Sequence, residues 1–409
     1  MYKSMIHYLR FSALFATLLW THHGFALDVS GKVQAGIYSA ESPNTWLDKG
    51  TGVTRFDTSG IHVQQAIIQI NQSVTPSTDI QADASYYPDG DQHLGFTQFQ
   101  IRYKPLISGN VKWRARAGFF YPAMSLENVD KGWLSPYTYT QSAINSWLGE
   151  ELRVAGAEFT LYRPGRAARS PWSWELHAAA YKGNDPLGTV LTWRGFALHD
   201  RQSLHHERLE FAAYPSVTDS NGIWHPSWVE PFSELDAKWG IYIGAHLDYQ
   251  RQAKLRYYYY DNLANPNAVN HQRLYAWRTR FHSLAFQHNI SSSTRIIAQW
   301  MLGDTLMGER FVYTDFQAFY AMISHKAGQH RFSARGDVFD VREDDIFPND
   351  QNNSHGSALT ANWRYNLSEH WQLGAEYSLV SSRADNRVQL NEAIRATQQQ
   401  MLLVLEYNW

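Results

Sequence analysis

The sequence predicts an all-β fold, a transmembrane antiparallel up-and-down β-barrel of about sixteen strands. Three observations predict it. Apolar and polar side chains alternate with period two along most of the chain, aromatic residues collect at the ends of the alternating runs, and the connections are short and long by turns. Composition narrows the alternatives. With no cysteine among 409 residues, 44% hydrophobic and 18% charged, the chain is not a disulfide scaffold, a thiolate metal protein or a disordered polymer. It carries 16 Trp, 24 Tyr and 20 Phe. Past the N-terminus it lacks a run of the roughly 18 apolar residues that a membrane helix needs, so that aromatic mass belongs on strands.

Residues 1–26 read as a signal peptide. Lys3 and Arg10 form a basic n-region, Phe11 to Trp20 an apolar core too short to span a bilayer, and Gly24-Phe25-Ala26 a small-residue cleavage site. The remaining 27–409 form one barrel domain. It holds 34 basic against 38 acidic residues, a net of −4, because the leader takes two of the basic residues and none of the acids.

The strands begin near Leu27, Ile61, Thr78, Leu94, Val111, Leu152, Ser173, Ala237, Lys254, Leu274, Thr294, Tyr313, Gln329, Gly356, Trp371 and Ala396. In the last, Met401, Leu403, Leu405, Tyr407 and Trp409 oppose Gln400, Glu406 and Asn408. Trp172, Trp174, Trp239, Trp371 and Trp409 sit at strand ends as an interfacial girdle. Connections after the even strands are short, such as Thr75-Pro76-Ser77; those after the odd strands are generally long. That parity places short turns on one side of a membrane and long loops on the other. Two strands depart from the pattern. Alternation slips near Gln65 as at a bulge, and Phe316 to Ile323 is apolar on both faces.

The face opposite the lipid is rich in cations. Arg102, Lys104, Lys112, Arg114 and Arg116 point inward from the fourth and fifth strands, and Lys254, Arg256, Arg278 and Arg280 from the ninth and tenth. Arg295, Arg331, Arg335 and Arg364 follow, with Lys32 and Lys238. The inward acids are fewer: Asp83, Glu158, Glu175, Asp248, Asp337, Glu376 and Glu406. Cations along a confined aqueous path between low-dielectric walls favour anions, and the same side chains brace the lumen by pairing with loop carboxylates.

The third long loop, Tyr121 to Glu151, is too apolar and aromatic for a solvated tip and is expected to fold into the lumen. There Glu127, Asp130 and Lys131 would stand at a constriction. The fourth, Gly183 to Asp236, carries Arg194, His199, Asp200, Arg201, His205, His206, Glu207 and Arg208. Vicinal histidines on extended chain diverge, so a hydrogen-bonded brace is the expectation and not a metal site. His177 and His246 face the lumen without a matching Ser, and no GxSxG, HExxH or Gly-rich phosphate loop occurs; enzymatic activity and cofactors are not expected.

The alternating chain ending in Tyr407-Asn408-Trp409 resembles Gram-negative outer-membrane porins, whose barrels close with a terminal aromatic strand. More locally, Arg116-Ala117-Gly118-Phe119-Phe120-Tyr121-Pro122 through Leu126-Glu127 is similar to the start of the lumen loop in phosphate-selective porins. The loop departs from theirs by continuing with Trp133, Pro136, Tyr137, Tyr139 and Trp147 in place of basic residues. The resemblance implies a homotrimer in the outer membrane, in contact with its lipid and with small hydrophilic solutes, and no nucleic acid. The expected function is passive diffusion through a water-filled channel with a modest anion preference. Two alternatives stand beside it. One is a sugar channel, for which Tyr258 and Tyr260 could line the path while Tyr257 and Tyr259 face lipid. The other is a barrel plugged by its loops that binds ligands at the surface.

Overall fold

The computed structural model describes residues 26–347 and 350–409; the predicted leader lies outside them except for Ala26. Leu27–Glu41 (β1), Gly60–Thr75 (β2), Thr78–Tyr86 (β3), Leu94–Tyr103 (β4), Lys112–Phe120 (β5), Val154–Arg163 (β6) and Trp172–Lys182 (β7) build the first part of the wall. Leu209–Glu210 (β8) and Trp228–Val229 (β9) form a small ribbon within the fourth loop. Gly240–Tyr249 (β10), Ala253–Asp261 (β11), Arg278–Asn289 (β12), Thr294–Met307 (β13), Val312–Ala327 (β14), His330–Glu343 (β15), Ser354–Asn366 (β16), Trp371–Ala384 (β17) and Arg395–Asn408 (β18) complete it.

Sixteen of these strands pair antiparallel with their neighbours, and β18 returns to β1 from Lys32↔Asn408 to Glu41↔Gln399. Closure leaves no sheet edge, as a wall surrounded by hydrocarbon requires. Alternation decides which face is which. In β18, Leu403 is 42% exposed on the outside while Val404 is 1% exposed on the inside. The girdle forms as expected at the short-turn end, where Trp172 packs on Tyr249 and Trp371 on Tyr407, with ring centroids 4.7 and 4.8 Å apart.

Every expected strand is present, and the parity of the connections holds except after β3, where residues 87–93 are no longer than the even connections after β4 and β6, and after β13. Between β13 and β14 the long-loop side makes a tight turn, with Gly308 and Arg310 both at φ 64°. The slip near Gln65 is a bulge: Gln34 pairs Gln65 but Ala35 pairs Val63, which leaves Gln64 unmatched. The wall is uneven in height. Strands β3 to β7, β10 and β11 have 9–11 residues, about one bilayer crossing, whereas β12 to β18, β1 and β2 have 12–16.

The third and fourth loops turn inward. Residues 121–153 include a helix, Ala143–Glu151, whose N-terminus is capped by Ser142 accepting from the Asn145 N–H. Residues 183–239 add the short helix Thr189–Arg194. Both helices are buried on all sides. Trp147 lies edge-on to Phe281 and Phe316 of the wall, at 5.5 and 5.2 Å, and to Phe196 of the fourth loop at 6.2 Å. Those contacts explain why Phe316 to Ile323 is apolar on both faces: Phe316, Ala318, Tyr320 and Met322 pack on the loops while Phe319 and Ile323 meet lipid.

Candidate functional site

The lumen divides into a packed plug and an open vestibule. In the plug, charged wall residues hold the backbone of the third loop. Arg335 is fully buried, binding Glu127 at 2.9 Å and Asp337 at 2.8 Å, and donating to the carbonyls of Thr140 and Gln141 at 2.7 and 2.8 Å. Glu376 accepts from the N–H groups of Tyr139 and Thr140, and Asp337 from that of Ala143. Arg364 donates to the carbonyls of Ser135 and Thr138, and Arg256 to those of Ala123 and Ser125. A backbone segment dehydrated inside the barrel thereby has its polar groups answered by charge-assisted bonds.

Further ion pairs lock the loops to one another. Glu150 receives both terminal nitrogens of Arg194 at 2.7 and 2.6 Å, with His199 at 3.1 Å. Burial alone would raise the Glu150 carboxyl; Arg194 and His199 pull it down to about 2. Arg55 of the first loop joins Asp89 and Asp200, and Arg201 joins Asp89 and Glu207. Burial raises the Asp89 carboxyl, but these two guanidinium groups bring it down to about 2. The residues at His199 to Arg208 are thus mainly loop braces. His206 bonds Glu230 at 2.7 Å, away from the lumen. At this point the fourth loop also seals a notch: β4 pairs β5 only over Phe99 to Tyr103, and His205 N–H donates to the Phe96 carbonyl beyond it.

Toward the short turns a vestibule remains, including a cavity of about 320 Å³ lined in part by Asp79, Arg102, Lys104, Arg114, Arg116 and Glu158. Arg102 and Arg114 keep 40% and 37% of their side chains exposed while pairing with Asp79 and Glu175. Arg116 pairs with Glu158 at 2.9 Å beneath the ring of Phe120. Lys104 follows β4 and is exposed; Lys112 and Lys254 are half-buried on the inner face. Arg295 donates to the Tyr137 hydroxyl, and Arg331 lies 5.3 Å from the Tyr137 ring centroid.

Several expected positions need correction, among them Arg335 and Arg364, which face inward but are buried on the third loop and line no open path. Arg278 and Arg280 are on the outside of β12, where they share a register with Leu284 and Phe286, while Thr279, Phe281 and Ser283 point inward. Phe281 and Ala285 are apolar inward residues that pack on the plug, so both faces of β12 look apolar and its parity is ambiguous from sequence. The two arginines pair outside with Asp261 and Asp304 at 3.3 and 2.8 Å. Lys238 is exposed ahead of β10. The third-loop charges are not a free ring around an aperture either. Glu127 is buried on Arg335, Asp130 pairs with Lys32 at 2.8 Å, and Lys131 donates to the Trp409 carbonyl. Sequence reasoning missed Arg55 and Glu150, whose only signal is a charge set among apolar loop residues.

A closed sixteen-strand wall with an apolar exterior and inward-folded loops defines an outer-membrane β-barrel of the porin type. No model of a protein family matches the chain, and no curated protein does. Solved structures do. The chain is similar to the outer-membrane channel DcaP of Acinetobacter baumannii, with TM-score 0.57 and 10% identity over 95% of this chain and 99% of that one. It is also similar to OmpT, an outer membrane protein of Vibrio cholerae in its trimer form, with TM-score 0.53, 10% identity, and 95% and 100% of the chains covered. OmpF of Salmonella typhi gives 0.53 at 10% identity over 94% and 98%. At such identities the likeness is one of fold.

Proposed function

We propose that this chain is an outer-membrane porin for small hydrophilic solutes with a modest preference for anions, and that its third and fourth loops hold the channel closed. The observation that carries the reading is that both loops are buried inside a closed barrel and that, beside an apolar cluster around Trp147, charged wall residues hold the third loop through hydrogen bonds. Hydrogen bonds to charged groups are worth roughly 1.5–3 kcal/mol each and can be replaced by water, so the part of the plug held this way can be released. Anion preference is supported by Arg102, Arg114, Arg295, Arg331 and Lys254 at the vestibule. The sugar reading loses support, since Tyr258 and Tyr260 are fully buried against other rings and offer no stacking face.

A homotrimer fits the low side of the wall. Ala115, Ala117, Ala155, Ala157, Ala178 and Ala180 face outward on three adjacent strands, a flat surface suited to a second copy of the chain. Planar-bilayer recording tests the proposal, comparing the intact protein with a variant shortened across residues 187–204. The shortened barrel should conduct more, with a reversal potential displaced toward anions in a salt gradient. A folded variant that passes no current would refute the gate, and a cation-selective current would refute the anion preference.

A further inference from the structure

We propose that Glu175, His177 and His246 form a binding site for a divalent transition-metal ion of the zinc type. Two neighbouring strands create it. Glu175 and His177 point inward from β7, and His246 stands directly across from Glu175 on β10. Gly244 stands across from His177 and leaves room for the Tyr258 ring, which a Cβ there would meet at 2.4 Å. The imidazoles are 4.3 Å apart between ring centroids.

The hydrogen bonds around the two rings select which nitrogens remain available. His177 Nδ1 lies 3.2 Å from the Thr160 hydroxyl and 3.5 Å from Glu158, while its Nε2 is buried without a hydrogen-bond partner and faces Glu175 at 3.4 Å. His246 Nε2 lies 2.8 Å from the Tyr258 hydroxyl, leaving Nδ1 to face the same Glu175 oxygen at 3.5 Å. With the outer nitrogens carrying the protons, two lone pairs converge beside one carboxylate. An outer partner on each ligating imidazole is the usual arrangement in metal sites. A tetrahedral ion with bonds of about 2.0–2.1 Å separates its ligand atoms by roughly 3.4 Å, close to the two edges found here. The third edge is also short, since all three ligand atoms lie within 4.8 Å of one another.

Two guanidinium groups flank the two carboxylates. Arg114 bonds both Glu175 oxygens and Arg116 bonds Glu158, so the ion would share Glu175 with Arg114. A carboxylate has enough lone pairs for both. His177 also lines the 320 Å³ vestibule cavity, so a fourth position opens onto water or solute.

The test is equilibrium dialysis of the detergent-solubilised, tag-free protein against zinc chloride, with cobalt(II) absorption as a geometry probe. One zinc per chain and a tetrahedral cobalt spectrum are expected. The His177→Asn/His246→Asn variant should lose both, and a retained heat-modifiable barrel shows that it has folded. Should that variant fail to fold, Thr160→Val and Tyr258→Phe remove only the outer partners and should each weaken zinc binding about 10–100-fold. Wild-type protein that takes up no zinc overturns the proposal. So does zinc binding that all these substitutions leave unchanged, which would place the ion elsewhere, for example at His206 and Glu230.

Discussion

Replacing Arg194 by Met should unlock the plug. Arg194 and Glu150 are both buried, with side chains 2% and 3% exposed, and they join the fourth loop to the third through two short charged hydrogen bonds. Removing the guanidinium leaves Glu150 charged and unmatched except for His199, at a cost of about 3–5 kcal/mol for a broken buried pair. At 1.4 kcal/mol per tenfold change, the ratio of released to docked loops should rise by about two to three and a half orders of magnitude. Because Glu150 is held at about 2 when docked, its contribution is fully present above the ordinary carboxylate range and lost as pH falls toward 2. Near neutrality the wild type therefore keeps the full effect. The assay is the frequency of opening events in planar bilayers, with protease accessibility of residues 184–204 as a second readout. Arg194→Met/Glu150→Gln should recover most of the closure, since removing both charges abolishes the unmatched one. Unchanged opening and unchanged proteolysis in Arg194→Met would refute the gate reasoning.

Other outcomes follow from the same geometry. Arg102→Gln with Arg114→Gln should move the reversal potential of the opened channel toward cations, and Arg278→Gln with Arg280→Gln should not, because the latter pair faces outward; equal shifts would contradict the register. Burial pushes the Glu151 carboxyl up to about 7 even though it accepts from the Val190 and Leu191 N–H groups. With a docked value above the unfolded one, the stabilisation is complete below the ordinary carboxylate range and is lost as pH rises through 7. Opening should then be more frequent at about pH 9 than at about pH 5, and Glu151→Gln should flatten the profile recorded in bilayers. Leu403→Arg, on the lipid side of β18, should cost about 2–4 kcal/mol in a lipid-vesicle unfolding titration.

The wall was legible because each strand carries its own address: a period of two, an aromatic at the end, and a turn of predictable length. Even the bulge at Gln64 showed as a broken alternation. Parity failed where the interior is not water. On β12 and β14, inward Phe281, Phe316 and Met322 pack with the loops, so apolar residues cease to mark the lipid side and the pattern alone places Arg278 and Arg280 inward. The locks between loops were not legible. Glu150 and Arg194 are 44 residues apart, and Arg55 and Asp200 are 145 apart, with no periodicity to pair them. The inward position of the third loop was legible from its composition alone, since Trp133, Tyr137, Tyr139 and Trp147 have no stable place in solvent.

The distribution of those contacts around the wall says where a gate would part. Against β12 and β14 the plug is anchored by Trp147 on Phe281 and Phe316, an apolar contact that loses its value on wetting. Against β15 to β17 Arg335, Arg364 and Glu376 add hydrogen bonds that water can replace, beside the contact of Phe196 on Phe339 at 5.9 Å. Release should begin on the second side and pivot on the first. The absence of cysteine makes this directly testable, because two introduced thiols have only each other to pair with. Thr140 and Ser378 have hydroxyl oxygens 3.4 Å apart across that seam. Oxidised Thr140→Cys/Ser378→Cys should abolish openings, including those gained by Arg194→Met, and reduction should restore them. Continued opening with the cross-link formed would mean that the solute path does not run between the third loop and β17.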